Sequence, residues 1–210
     1  MTLAMSAKSA EMKAAGEKVN NFGVGEPDFN TPVNIIQAAK DAMDKGYTKY
    51  VAAAGLPALK KAVCEKFKKD NNLDYKPSQI VICNGGKHAI LNAVAAVVEE
   101  GDEVIIPSPY WLTYPEIVRF FGGVPVYVET TRENGFKMTA AQLEAAITDK
   151  TVMLIFNSPN NPTGAVYSEE EIKAIAAVCE KHELCVLSDE MYEKLVYDGL
   201  RHYSIAEVSP

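Results

Sequence analysis

Two apolar runs of the sequence end in residues that could hold a phosphate and a flat ring. The run QIVIC leads into NGGK, where Gly85 and Gly86 would open a helix whose backbone N–H groups can approach an anion, and Lys87 adds a positive charge. The run DEVIIP leads into SPYW, which places the only tryptophan, Trp111, where it could stack on an aromatic ligand. Both have a plain alternative, because paired glycines also make ordinary turns and a lone tryptophan often packs in a core.

Two further apolar runs end in an amide and a carboxylate. TVMLIF continues into NSPNNPTG, in which Pro159 and Pro162 restrict the backbone on either side of Asn161. LCVL continues into SDEMY, which puts Asp189 at the end of the run and Tyr192 three residues later. A buried carboxylate needs a cation or hydrogen-bond donors to offset its desolvation, although an aspartate at a strand end also commonly forms a turn.

Only one of the three asparagines in the NSPNNPTG loop is predicted to face a ligand. We assign that role to Asn161 and expect Asn157 and Asn160 to hold the shape of the loop through side-chain turns. The bond between Asn161 and Pro162 is a candidate for the cis isomer, because turns that position active-site groups sometimes use it.

These residues must be positioned by alternating strands and helices. The apolar runs typical of strands are QIVIC, DEVIIP, VPVYVE, TVMLIF and LCVLSDE. Helical patterns lie between them at KHAILNAVAAVVEE, YWLTYPEIVRFFG, TAAQLEAAI and SEEEIKAIAAVCEKH. The alternation predicts an α/β protein with three αβα layers and a mainly parallel sheet, preceded by an N-terminal helix and loop. Ligands of such sheets bind outside the carboxyl ends of the strands, which is where the residues above would meet.

The composition argues against several classes of partner. The chain has 210 residues, 48% of them hydrophobic and 23% charged, and a net charge of −7 with acids and bases interspersed, so neither nucleic acid nor an anionic membrane is an expected partner. No apolar run is long enough to span a bilayer, and the N-terminus lacks the apolar core of a signal peptide. We therefore expect a cytoplasmic protein.

The four run ends together describe one kind of ligand. A phosphate cradle, a flat aromatic, an amide, and a carboxylate with a nearby phenol would suit a phosphorylated heteroaromatic molecule with an ionisable ring nitrogen. Pyridoxal phosphate matches that description better than a nucleotide does.

The motifs that carry these residues resemble those of a known family. GVGEPDFNTP, GYTKYVAAAGLPALKKAV, IPSPYWLTYPE, NSPNNPTGAVYS and SDEMYEKLVYDG are similar to motifs of the class I aminotransferases of pyridoxal phosphate fold type I, most of all to the bacterial aspartate aminotransferase branch. The resemblance covers essentially the whole chain. It implies the incomplete large domain of that fold, with pyridoxal phosphate as the cofactor.

The resemblance also implies roles for the residues at the cofactor. Gly86 and Lys87, with the start of their helix, correspond to the phosphate-binding positions, and Trp111 to the aromatic residue that stacks on the pyridine ring. Asp189 corresponds to the aspartate that pairs with the protonated pyridine nitrogen. Tyr192 corresponds to the tyrosine that donates to the cofactor's phenolic oxygen.

Further roles implied by the resemblance concern the substrate and a second subunit. Asn161 corresponds to the asparagine that bonds the phenolic oxygen and helps hold the substrate carboxylate, and Gly25 to a backbone contact with the α-carboxylate. Trp111 is assigned to the substrate as well as to the cofactor. Tyr50 resembles the tyrosine that reaches the phosphate bound by the partner of a homodimer. Lys87 is also a candidate contact for the distal carboxylate of a dicarboxylic substrate, a role that competes with phosphate binding.

The family's Schiff-base lysine has no counterpart among the lysines of this sequence. We expect it beyond Pro210, together with the arginine that clamps the α-carboxylate, so the chain is interpreted as an N-terminal fragment. Residues 1–30 are assigned to the small domain and 31–210 to part of the large pyridoxal phosphate-binding domain. We expect these 210 residues alone not to transaminate and to fold poorly, because a truncated sheet exposes an edge.

Three readings of the function remain open. The first is an aminotransferase that moves an amino group from aspartate, or a related amino acid, to a 2-oxo acid. The second is a carbon–sulfur lyase or cyclising synthase of the same fold, which shares most of these motifs. The third is a binding or regulatory domain that keeps the scaffold without catalysis.

Overall fold

The computed structural model describes residues 2–20 and 29–209, which form two compact units. The first unit, Met1–Tyr50, contains helix α1 (Thr2–Ala14) and helix α2 (Val33–Asp44). The second unit, Val51–Pro210, contains the sheet. The division into a small-domain segment of residues 1–30 and a large domain from residue 31 stays a prediction.

The second unit alternates helices and strands as the sequence predicts. Helix α3 (Pro57–Asn71) and a short 3₁₀ helix (Pro77–Gln79) precede the sheet. The elements that follow are α4 (Gly86–Val97), β1 (Glu103–Ser108), α5 (Thr113–Phe120), β2 (Val124–Glu129), α6 (Ala140–Ala146), β3 (Thr151–Asn157), α7 (Glu169–Lys181), β4 (Cys185–Asp189) and α8 (Ile205–Val208). Helices α6 and α7 each begin with a capping box, in which Thr139 and Ser168 accept a hydrogen bond from the third helical N–H.

The four strands form one sheet in the order β2-β1-β3-β4, and every neighbouring pair is parallel. The chain moves outward from β1 to β2, then crosses back over β1 to β3. The strand order therefore reverses between β1 and β3, and a crevice at the carboxyl ends of these strands is the expected ligand position.

Alternate side chains of the strands serve two separate hydrophobic clusters. Ile105 and Leu154 pack in one cluster with residues of α6 and α7, whereas Val104 and Met153 pack in the other with residues of α4 and α5. Since neighbouring strand residues point to opposite faces, the sheet lies between two helical layers. The predicted α/β fold with three layers and a parallel sheet is confirmed.

One predicted strand is wrong. The run QIVIC begins at the end of the 3₁₀ helix and continues as extended chain that belongs to no strand in the described part of the protein. Its Ile80 N–H bonds to Pro77, and its Ile82 N–H bonds to Ala54 in a loop. An apolar run becomes a strand only if another strand takes up its backbone hydrogen bonds, and the four paired strands lie elsewhere.

Among residues 2–20 and 29–209, no helix combines the length and apolar character that crossing a bilayer demands.

Candidate active site

The start of α4 supplies backbone donors and a cation. Gly85 occupies the N-cap position at φ 87°, a left-handed conformation that glycine adopts without a Cβ penalty. The first N–H groups of a helix have no acceptor within the helix, so those at Gly86 and Lys87 are suited to an anion. The Nζ of Lys87 lies 5.2 Å from the centre of the Trp111 ring, within the range of a cation–π contact.

The segment after β1 supplies two aromatic rings. Trp111 lies just before α5, and Tyr114 lies in the first turn of that helix. The two rings meet edge to face, with centroids 5.5 Å apart and planes at 87°. Trp111 is half-buried, whereas Tyr114 is 2% exposed, so Trp111 is the more accessible of the two rings.

The loop after β3 is held by its own asparagines, as predicted. Asn157 Oδ1 accepts a 2.7 Å hydrogen bond from the backbone N–H of Asn161. Asn160 Oδ1 accepts from the N–H and the hydroxyl of Thr163. The peptide bond between Asn161 and Pro162 is cis, which confirms the isomer suggested by the sequence.

The end of β4 supplies the carboxylate. Asp189 pairs in register with Asn157 on β3, and the Asn157 amide donates a 2.8 Å hydrogen bond to the Asp189 backbone oxygen. The Asp189 side chain accepts from two sides: Tyr114 Oη donates to Oδ2 at 2.8 Å, and the Met191 N–H donates to Oδ1 at 3.1 Å. The two bonds fix the orientation of the carboxylate.

Burial, and then the negative charge of Asp189, raise the pKa of the Tyr114 phenol. The phenol therefore stays protonated and acts as a donor toward Asp189.

The neighbouring Glu190 is occupied elsewhere. It accepts hydrogen bonds from Ser188 and Ser204 at Oε1 and pairs with His202 at Oε2, 3.0 Å away. Burial alone would raise the pKa of Glu190, but the hydrogen bonds from His202, Ser204 and Ser188 outweigh burial and lower it. Of these two carboxylates, only Asp189 lines a cavity together with Trp111.

These groups enclose a cavity of about 200 Å³ at the carboxyl ends of the strands. The residues that line it are Gly86, Lys87, Ile90, Trp111, Tyr114, Asn157, Asn161, Asp189, Met191 and Tyr192. A larger groove of about 550 Å³ lies beside β4, between α3 and α7. That groove lacks the start of α4, Trp111 and Asp189, so we place the candidate site in the smaller cavity.

Six of the residues proposed from the sequence line this one cavity: Gly86, Lys87, Trp111, Asn161, Asp189 and Tyr192. Their individual roles stay predictions. Tyr50 is the last residue of the first unit and its side chain is fully exposed, and Gly25 lies outside the described residues.

Sequence reasoning missed Tyr114. The one available signal was its spacing, since it follows Trp111 by three residues at the start of a predicted helix, where neighbouring turns bring side chains together. Nothing in the sequence indicated its partner Asp189, which is 75 residues away.

Comparisons with known proteins identify the family of this chain. The sequence profile of the family Aminotransferase class I and II matches residues 17–210. The chain is 55% identical over 208 residues to the aspartate aminotransferase of Bacillus sp. (strain YM-2), covering 99% of this chain and 53% of that protein. It is 53% identical over 208 residues to the aspartate aminotransferase of Bacillus subtilis (strain 168), again covering 99% and 53%.

A solved structure, the aspartate aminotransferase from Thermus thermophilus with maleate, superposes with a TM-score of 0.96 at 45% identity, covering 100% of this chain and 55% of that one. The chain spans about half the length of the curated relatives it matches. With the family profile matching all but the first residues, the chain belongs to the class I and II aminotransferase family.

Proposed function

We propose that this chain is the part of a pyridoxal phosphate-dependent aspartate aminotransferase that carries most of the cofactor pocket. One observation carries the proposal: a single cavity brings together the start of α4 with Lys87, the Trp111 ring, the Asn161 amide and the Asp189 carboxylate beside Tyr192. Relatives with the same motifs at 53–55% identity are named aspartate aminotransferases, which supports the choice within the family.

The chemistry of the cavity fits pyridoxal phosphate. Its volume of about 200 Å³ is below the roughly 300–1,000 Å³ typical of pockets for larger ligands, which favours one substituted ring over a dinucleotide. The Nζ of Lys87 lies 5.2 Å from the centre of the Trp111 ring, and Tyr114, which meets that ring edge to face, donates to Asp189. An anionic group, a flat ring and a basic ring nitrogen each find a suitable partner in this set.

Each residue would then have a defined task. Gly86 and Lys87 would bind the phosphate, and Trp111 would cover one face of the ring. When bound, pyridoxal phosphate supplies an electron sink for the amino acid, and Asp189 would deepen that sink by keeping the ring nitrogen protonated. Asn161 and Tyr192 would donate hydrogen bonds to the phenolic oxygen.

The amino donor is proposed to be aspartate or a related dicarboxylic amino acid, with a 2-oxo acid as acceptor. The Thermus relative was solved with maleate, a dicarboxylate, which supports a substrate of that class. Lys87 is the lysine that lines this cavity and is the candidate for the distal carboxylate as well as for the phosphate.

A homodimer in the cytoplasm completes the proposal. In that dimer Tyr50 would contact the phosphate bound by the partner subunit, and Gly25 would contact the substrate carboxylate through its backbone. The fully exposed Tyr50 side chain in the isolated chain leaves that residue available for such a contact.

The test uses the natural-length protein that contains this chain. We expect it to bind pyridoxal phosphate and to convert aspartate and 2-oxoglutarate to oxaloacetate and glutamate. Asp189→Asn should lower kcat at least about 100-fold, because one pairing of roughly 3 kcal/mol with the ring nitrogen would be lost.

The competing readings give other results. Release of ammonia or a thiol without glutamate would indicate a lyase, and cofactor binding without turnover of any amino acid would indicate a scaffold domain. Either result would overturn the proposed function.

A further inference from the structure

We propose that Tyr114 is a positioning residue that holds the Asp189 carboxylate and the Trp111 ring in the arrangement that a bound pyridine ring requires. The inference rests on the proposed function, since it concerns how the same pocket is organised. Three observations support the inference: the buried position of the Tyr114 ring, the hydrogen bond that its hydroxyl donates, and its contact with Trp111.

The Tyr114 ring is fixed by packing. It is 2% exposed and belongs to the hydrophobic cluster that includes Ile106 and Ile155, at the carboxyl half of β1 and β3. A ring so enclosed keeps one rotamer, so its hydroxyl has a fixed position.

In this position the Tyr114 hydroxyl acts as a hydrogen-bond donor to Asp189. The pKa of the phenol is raised by burial and by the charge of Asp189, so the group remains a donor at every physiological pH. Its 2.8 Å bond to Asp189 Oδ2, with the Met191 N–H on Oδ1, holds the carboxylate at both oxygens. A carboxylate has about four lone-pair positions, so others remain for a donor in the cavity.

The same ring also supports Trp111. Its edge-to-face contact, with centroids 5.5 Å apart, joins Trp111 to the side chain that holds Asp189. One buried residue therefore sets the distance between the ring-stacking group and the charged group. Loss of the hydroxyl alone would remove one of the two hydrogen bonds that hold Asp189 while leaving the support of Trp111 in place.

The decisive variant is Tyr114→Phe in the natural-length protein, measured by the dissociation constant of pyridoxal phosphate. We expect binding about tenfold weaker, the factor carried by one charge-assisted hydrogen bond of roughly 1.4 kcal/mol. The matched control is Tyr167→Phe, which removes another buried hydroxyl: Tyr167 is 4% exposed and its oxygen accepts a 2.7 Å bond from the Met138 N–H. The control should destabilise folding without changing cofactor affinity.

A double-mutant cycle with Asp189→Asn separates positioning from a general structural effect. If Tyr114 acts through Asp189, adding Tyr114→Phe to Asp189→Asn should cost much less than tenfold. Additive losses in the cycle, or equal losses for Tyr114→Phe and Tyr167→Phe, would refute the inference. If Asp189→Asn weakens binding and Tyr114→Phe does not, the inference fails while the proposed function stands. If Asp189→Asn itself leaves the affinity unchanged, the proposed role of Asp189 fails first.

Discussion

Asn157 joins the ends of two strands, and replacing it with alanine is expected to destabilise the protein by about 2–4 kcal/mol. The side chain is 6% exposed and makes three hydrogen bonds. Its amide donates to the backbone oxygens of Asp189 at 2.8 Å and Pro159 at 3.2 Å, and its oxygen accepts from the Asn161 N–H at 2.7 Å.

The magnitude follows from the groups that Asn157→Ala would leave without this partner. The Asp189 oxygen still accepts a 3.3 Å bond from the Ser158 N–H, so its loss is partly covered. The Asn161 N–H and the Pro159 oxygen lose the contact, and each buried group left unpaired costs about 1–3 kcal/mol. Water entering the vacated space would replace part of these hydrogen bonds. The expected loss for the two groups together is therefore about 2–4 kcal/mol, below the sum of the two largest costs.

The assay is urea unfolding of the apo form of the natural-length protein, read as a change of midpoint at constant slope. Asn160→Ala is the matched control, because Asn160 is half-buried in the same loop and bonds only within it, to Thr163. We expect the control to cost about 1 kcal/mol. A loss for Asn157→Ala no larger than that of Asn160→Ala would refute the reasoning.

Two further predictions concern pH and backbone conformation. Because the folded pKa of Glu190 lies below its ordinary value of 4.5, its contribution to stability is complete above that value and is lost as the pH falls through the folded pKa. The stability advantage of the wild type over Glu190→Gln, which weakens the pairing with His202, should therefore shrink on acidification; an advantage independent of pH would contradict the assignment. Gly55→Ala should destabilise more than Gly85→Ala, although both have positive φ, because a Cβ at Gly55 would lie 2.4 Å from Ile82 Cγ1 and one at Gly85 meets open space. Thermal unfolding of the two variants tests this, and equal losses would show that the backbone conformation alone decides.

Local sequence patterns predict most of the fold, and six of the site residues that they indicate line one cavity. The strand ends carrying Trp111, Asn161 and Asp189 were located because buried parallel strands are apolar throughout and their loops are not. The run QIVIC has the same apolar character but forms no strand, because strand pairing depends on a neighbouring strand that the local sequence does not specify. Tyr114 was missed for a related reason: its contact with Asp189 exists only once β1 and β4 are in one sheet.

The in-register pairing of Asn157 with Asp189 also limits which changes of length the protein tolerates. A residue inserted within β4 before Asp189 would exchange the two faces of the strand beyond it, so that Ser188 would take the direction of Asp189. A serine hydroxyl carries no charge, so the cavity would lose its carboxylate while the sheet itself could still form. A residue inserted before the amino end of a strand leaves the direction of every side chain in that strand unchanged. We therefore expect length variation among relatives to fall at that opposite edge, and the count of residues from the middle of β4 to Asp189 to be constant.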